Sequence, residues 1–471
     1  SGLDPHDHRE TPTDNIVRQA YEGVLARDRT GKIINELANT SARLEPGRVS
    51  FTIRSGVKFH NGDTLTAEDV AFSINRIVKP DVGGLKSPQR DQLAGVTGAT
   101  APEEGRVEVT SSGLNPIVFS LFATYCDVVQ KAWIQEHNQS YWNQNMNGTG
   151  PFQLENYEQD VRVVFSRFMD YWRDPATVTD LTMNAASEAS TRVNQLLAGE
   201  TDITVNVPPQ DIPRVRDASN TRIAAVPSTR IIFNAMRYDV EPFTSQKFRQ
   251  AMNYAIDLNG IIQNVLSGFG DATGQPTLEG FFGYNPDVSP YPQNQSRAES
   301  LVDESGFAGA SLTLHTPVGR YLKDVEIAQA VASQIDSLSN VSCEVKQREF
   351  AQLAGELTTG RIEDKPHFYL IGWGNATFDA SQTIIPLLTT NGALTSYSNE
   401  QVDQVVNQAQ STGNEEERRS LLQEANKLLH DQAPWIFLNR QYSVYGASQR
   451  IDWQARRDEA INAYAIGRSQ S

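Results

Sequence analysis

The chain has 471 residues, 39% of them hydrophobic and 21% charged, with 41 Lys plus Arg against 57 Asp plus Glu and a formal net charge of -16. That length exceeds one ordinary core and calls for two or three domains or lobes, and the composition is that of a folded soluble protein. The acidity excludes nucleic acid, which needs clustered basic side chains to displace counterions, and argues against adhesion to anionic lipid.

No apolar run approaches the roughly 20 residues of a transmembrane helix. The two cysteines, Cys126 and Cys343, sit in no CxxC or metal-type spacing and read as unpaired core thiols. The opening residues SGLDPHDH carry no signal-peptide pattern, and the sequence reads as trimmed there.

Residues 16–25 read as a short helix ending near Arg27, followed by a polar turn over 28–31. Next comes FTIRSGVKFHNGDTLTAEDVAFSINR, from Phe51 to Arg76. Val49, Phe51 and Ile53 alternate with polar neighbours as in a half-buried strand. Ser55-Gly56 and Asn61-Gly62 supply turns. Thr66 is placed to cap a helix whose first turn holds Glu68 and Asp69 and whose apolar face holds Val70, Ile74 and Ile77.

From Lys79 to Gly105 the composition predicts loops with one short helix. Strands are predicted at 107–110, from Phe152 and at 161–165; a helix over 187–197; a strand at 204–207; and two strands, 222–226 and 230–233, around Pro227. The Asn147 to Phe152 segment, with two Gly and a Pro, is neither helix nor strand interior. No GxxxxGK[ST] phosphate loop is present anywhere.

Beyond it, helices are predicted over 248–256, 298–305 and 324–338, with strands at 312–316, 342–347 and 368–371 alternating between them. Helices 399–410 and 415–432 follow, then an apolar run at 435–438 leading into 441–445. Strands alternating with helices predict α/β lobes with mostly mixed sheets.

The segment from Phe51 to Arg76 resembles the hallmark region of the family 5 extracellular solute-binding proteins, the receptors of peptide, nickel and opine ABC importers. Further matches in the expected order are Leu3-Asp4-Pro5-His6, Tyr21-Glu22-Gly23-Val24-Leu25, Gly148-Thr149-Gly150-Pro151-Phe152, Tyr171-Trp172-Arg173, Phe248-Arg249-Gln250-Ala251, Gly372-Trp373-Gly374 and Gln432-Ala433-Pro434-Trp435. The resemblance implies an α/β, bilobal periplasmic-binding-protein-like (Venus flytrap) fold with an added third domain. The implied partition is a discontinuous first lobe of 1–35, 147–234 and 439–471, an added domain of 36–146 and a second lobe of 235–438.

It also implies a noncatalytic, monomeric receptor without cofactor or bound metal. Such a receptor is periplasmic or membrane-anchored outside the cytoplasm, takes a small peptide-like or amide-bearing ligand and delivers it to a membrane permease. Peptide-binding relatives use an aspartate three residues after the tryptophan of the Gly-Trp motif to pair with the ligand's amino group; here that position is Ala376. Truncating one partner of such a buried pair costs about 3–5 kcal/mol, so an ordinary dipeptide held in the usual way is not expected.

Asp379 is either a substitute for that carboxylate or a loop acid capping the helix before Ser381. The stretch from Gly372 to Ser381 looks closer to the glutathione-binding and opine-like subgroup, with Trp373, Asn375, Phe378 and Asp379 as candidate contacts. Arg320 corresponds to the region from which peptide receptors grip a terminal carboxylate, and a guanidinium can do so bidentately beside Tyr321. His8 and Arg9 follow Leu-Asp-Pro in a loop that faces the ligand in the family. His6 and His8 lack the further ligands of a metal site and read as solvated loop histidines.

Aromatic walls also suit oligosaccharides, so sugar or opine receptors of the same fold remain alternatives. A different class, an extracytoplasmic hydrolase, finds no GxSxG, activated cysteine or zinc motif. A chaperone or sensor on the same fold is a third class.

Overall fold

The computed structural model describes residues 2–8, 10–93, 95–359 and 365–467. The chain divides into two compact units, Ser1–Val226 with Val444–Ser471, and Pro227–Ser443. It passes from one to the other twice, within the long strands Thr221–Met236 and Trp435–Ser448.

In the first unit the strands Ala38–Glu45, Arg48–Ile53, Arg106–Ser111 and Val96–Glu103 form an antiparallel sheet in that order. The inward side chains of Arg48–Ile53 are Val49, Phe51 and Ile53, the alternation its sequence predicts. The helix Ala67–Val78 packs on this sheet with Val70, Ile74 and Ile77 buried. Thr66 caps it through a reciprocal box: its side chain accepts from the Asp69 N–H while the Asp69 carboxylate accepts from the Thr66 N–H at 2.9 Å, which satisfies two orphan donors of the first turn.

A second sheet, Phe152–Glu158, Arg162–Arg167 and Asp180–Asn184, is also antiparallel. Its neighbouring loop explains two glycines. A Cβ at Gly148 would stand 1.9 Å from the Ala20 carbonyl oxygen, and one at Gly150 would stand 2.7 Å from the Ala20 carbonyl carbon. The Gly150 N–H donates to that carbonyl at 2.9 Å, so only residues without a side chain allow this backbone contact.

In the second unit Thr221–Met236 pairs antiparallel with Phe368–Gly374, which adjoins Ala310–Pro317 and then Val341–Arg348, the last three running parallel. Helices Asp324–Asp336, Gln246–Tyr254 and Gln295–Ser305 contribute Ile327, Val331, Phe248 and Leu301 to one core. Glu400–Ser411 and Glu415–Gln432 supply Val402, Leu422 and Leu429 to another. The mixed α/β order predicted from alternating periods is therefore the order observed.

Several expected elements differ. The helix expected at 16–25 runs Thr11–Val17 instead, started by Pro12 in its first turn, and Leu25–Arg27 is a strand paired with Ile33–Asn35. The two strands expected around Pro227 are one, Thr221–Met236; its ladder to Phe368–Gly374 begins at Arg230, so the missing Pro227 N–H costs no bond on that side. Val96–Glu103 lies where loops are expected, because Gly98 and two register shifts break its alternation. Cys126 and Cys343 are both free thiols, the first buried and the second half-buried.

Candidate ligand-binding site

The three parallel strands of the second unit end at one edge of its sheet, where Pro317 stands opposite Arg348 and the last strand closes on Trp373 and Gly374. The antiparallel strand Thr221–Met236 brings Arg230 opposite Gly374 at the same edge. In open α/β sheets ligands bind beyond the carboxyl ends of the strands. The loop leaving Ala310–Pro317 carries Arg320 and Tyr321, so the candidate residues from two strand ends and a third strand are collected here.

Asp324 builds that loop. Its buried carboxylate accepts the backbone N–H groups of Gly319 at 3.1 Å, Arg320 at 2.8 Å, Tyr321 at 3.0 Å and Val325 at 2.9 Å. The main chain of the Arg320 loop is thereby fixed before any ligand arrives. Tyr321 is buried and donates its hydroxyl to the Gly372 carbonyl at 3.1 Å. Burial pushes its phenol up, so it stays a donor.

The Arg320 guanidinium is exposed and lies 5.4 Å from the centroid of the Tyr321 ring and 4.9 Å from that of Phe350. Arg230 approaches the same Tyr321 ring at 5.8 Å. Neither guanidinium has a hydrogen bond or ion pair among the described residues. The other described arginines of this unit are paired: Arg237, Arg348 and Arg418 with carboxylates, Arg249 and Arg440 with carbonyls, the remaining two with surface glutamates.

Trp373 is half-buried, packs against the core beneath it, and donates its indole N–H to the Gln382 carbonyl at 3.1 Å, which fixes the ring plane. After it the chain makes a closed loop organised by Asn375. That side chain donates to the Asp379 carbonyl at 2.8 Å and the Thr383 hydroxyl at 3.0 Å, and accepts from the Thr377 N–H and hydroxyl at 3.2 and 2.8 Å. All four hydrogen-bonding capacities of the amide are thus used inside the loop. Phe378 holds a left-handed backbone, φ 58°, with its ring buried 4.9 Å from that of Phe281.

Asp379 is buried and grips Arg418 bidentately at 2.7 and 2.8 Å while accepting from the Ser381 hydroxyl at 2.6 Å. Its carboxylate is therefore already neutralised within the protein. Among the described residues, this edge presents two guanidiniums without hydrogen bond or ion pair and an aromatic face.

His6 and His8, expected as solvated loop residues, are both buried in the first unit. The reason is the buried pair beneath them: Arg76 donates to the Asp4 carboxylate and, at 3.0 Å, approaches His6 Nδ1, while His6 Nε2 lies 2.7 Å from the Asp127 carbonyl. Since a guanidinium can only donate, His6 carries its proton on Nε2. Burial, reinforced by the Arg76 charge, lowers its pKa to about 4. His8 has neither ring nitrogen hydrogen-bonded, its nearest acid being Asp14 at 3.9 Å. Arg9 lies outside the described residues.

Among the described residues no group of three or more His, Cys, Asp or Glu is arranged to hold a metal ion, and no helix is long and apolar enough to cross a membrane. Arg230 is a candidate at this edge that motif reading misses. Its only signal is a lone charge at the head of the apolar run IIFNAM.

A family model described as bacterial extracellular solute-binding proteins, family 5 middle, matches residues 32–395. The glutathione-binding protein GsiB of Salmonella typhimurium is 25% identical over 450 residues, covering 92% of this chain and 86% of that protein. Among solved structures, the ABC transporter substrate-binding protein CtaP of Listeria monocytogenes superposes with a TM-score of 0.88 at 20% identity, over 99% of this chain and 96% of its own. HbpA2 of Haemophilus parasuis gives 0.87 at 18% identity, over 99% and 97%. The α/β architecture described above is the periplasmic-binding-protein fold of these structures.

Proposed function

This chain belongs to the bacterial extracellular solute-binding proteins of family 5, and on that premise we propose that it is the receptor of an ABC importer for a peptide-like or amide-bearing acid. Proteins of this family work outside the cytoplasm and pass solute to a membrane permease. A receptor of this kind selects by a few placed polar groups in a water-excluding site rather than by chemistry on the ligand.

The observation that carries the ligand reading is the edge holding Trp373, Tyr321 and Arg320 at the carboxyl ends of parallel strands. Trp373 is the platform for the ligand's apolar or amide face, and Arg320 takes a carboxylate beside the Tyr321 ring. Asn375, Phe378 and Asp379 are assigned to holding the loop that orients Trp373. The first lobe is taken to carry 36–146 as an added domain. The relative named as glutathione-binding supports a ligand whose amine is displaced from the usual peptide position, which agrees with Ala376.

Thermal shift and calorimetry with glutathione, dipeptides, opines and oligosaccharides test this reading, with the mixtures checked by mass spectrometry for turnover. Saturable binding of a peptide-like acid without turnover is expected, since a tight ligand raises apparent stability by mass action. Exclusive binding of a neutral sugar, or conversion of any bound compound, would overturn it.

A further inference from the structure

We propose that Arg230 and Arg320, which share the Tyr321 ring, act together as a two-cation clamp, so that the preferred ligand presents two carboxylates to this edge and needs no ammonium there. The inference rests on the receptor reading above and goes beyond it by naming a second specificity-determining residue and the charge class of the ligand.

Three observations carry it. Both guanidiniums lie within 5.8 Å of one ring centroid, so a molecule of dipeptide to tripeptide size spans them. Among the described arginines of this unit they alone have no hydrogen-bonded or ionic partner, in a chain with 16 more acids than Lys plus Arg. Two adjacent guanidiniums free to form bidentate hydrogen bonds can take the carboxylates of an external anion.

The third observation is that the two acids these loops carry among the described residues are already engaged. Asp324 spends its oxygens on backbone N–H groups, and Asp379 on Arg418 and Ser381. Neither is left to receive a ligand ammonium. A carboxylate entering here keeps its charge and gains two-pronged hydrogen bonds, whereas an ammonium would face like charge.

The position of Arg230 also makes sense of Gly374. A Cβ there would lie 3.2 Å from the Arg230 Nη2 atom, so a larger residue would crowd the guanidinium that the antiparallel register places opposite. Arg230 thus sits in a slot kept open by its strand partner. Its guanidinium carbon lies 5.8 Å from the centroid of the Tyr321 ring, which is fixed in turn through its hydroxyl to Gly372.

The test measures affinity by calorimetry for a set of dipeptides and γ-glutamyl peptides, each prepared as diacid, monoamide and bisamide, and with the amine free or acetylated. The proteins are the full chain and its Arg230→Met, Arg230→Lys and Arg320→Met variants. Methionine keeps an unbranched side chain without the charge, and unchanged melting without ligand verifies folding.

Wild-type affinity is expected to fall in the order diacid, monoamide, bisamide, and to be indifferent to acetylation. Each Met variant should lose about ten- to a hundredfold for diacids, the range for a hydrogen bond to a charged group. Arg230→Met should lose little for the monoamide that engages Arg320 alone, and Arg230→Lys should recover part of the diacid affinity. Equal binding of bisamides, or an unchanged diacid affinity in Arg230→Met, overturns the clamp while leaving the receptor intact. Failure of every member to bind the wild type overturns the peptide-like receptor reading itself, a result distinct from loss of acid preference.

Discussion

Arg76 and Asp4 meet head to head, Nη1 to Oδ1 at 2.9 Å and Nη2 to Oδ2 at 2.6 Å, with no exposure of either side chain. This pair ties the Leu3 to His6 loop to the helix Ala67–Val78, so two motifs distant in sequence are one structural unit. Arg76→Met is expected to destabilise the first unit by about 3–5 kcal/mol, because Asp4 is left buried and unpaired. Arg76→Met combined with Asp4→Leu should recover much of that loss. Urea unfolding followed by a probe in the first unit checks both, and a single-variant loss under 1 kcal/mol would show that the pair is dispensable.

One buried and one half-buried group give stability opposite slopes with pH. His6 has its pKa lowered from 6.5 to about 4, so the folded state binds fewer protons than the unfolded chain in that interval. Its contribution is fully present above pH 6.5 and is lost as the pH falls toward 4. Glu36 is the reverse case: burial, with the neighbouring Glu22 charge, pushes it up from 4.5 to about 8.

The folded state then keeps a Glu36 proton that the unfolded chain has released, and stability falls as pH rises from 4.5 through 8. Unfolding midpoints measured from pH 4 to 9 should therefore pass through a maximum. His6→Gln should flatten the acid limb, leaving the part due to His60, half-buried and lowered to about 4. Glu36→Gln should flatten the alkaline limb. If neither variant alters its limb, these groups do not control the profile.

The family and the fold class were legible because scaffold motifs are local: a strand, paired turns and a capped helix leave their signature within one run of residues. What could not be read was where those motifs meet. Glu22, Thr149, Tyr171 and Trp172 come from three separate motif matches, yet the Glu22 carboxylate accepts from the Tyr171 hydroxyl at 2.6 Å and from the Thr149 hydroxyl and Trp172 indole, both at 2.9 Å. Sequence gives each residue a place in a list, and only tertiary packing makes them a single network.

The same limit applied to the candidate site. Asp379 was open to two readings because its partner, Arg418, is carried by a helix that begins at Glu415. Arg230 went unseen because the strand register that sets it opposite Gly374 has no counterpart in local spacing. The buried state of His6 follows from Arg76, which no periodicity connects to it.

Gly372 is required by its neighbours rather than by its own backbone angles. A Cβ there would lie 2.7 Å from the Ile232 Cδ1 atom and 2.7 Å from the Tyr321 ring. Gly372→Ala should therefore cost about 1–3 kcal/mol by overpacking and displace Tyr321 from the carbonyl it bonds. Because both Arg230 and Arg320 lie against that ring, affinity for acidic ligands should fall as well. Adding Ile232→Val relieves one of the two clashes and should return part of the stability but little of the affinity. Equal recovery of both would mean that Tyr321 does not orient the arginines.

Trp373 and Asp379 stand six residues apart in one loop and should separate cleanly by the kind of loss each causes. Asp379→Asn leaves the buried Arg418 cation without its full partner, so its expected cost is stability, about 3–5 kcal/mol. Ligand affinity, measured well below the melting transition, should change only a few-fold through loosening of the loop, and equally for ligands with free and acetylated amines. Trp373→Ala should do the opposite, since the half-buried indole is held by one bond to Gln382. It should lower affinity for every ligand tenfold or more with a smaller loss of stability. Denaturant titration and calorimetry on the two variants check this. A selective loss of amine-bearing ligands in Asp379→Asn would place its carboxylate on the ligand after all, because a loop support cannot distinguish a free amine from an acetylated one.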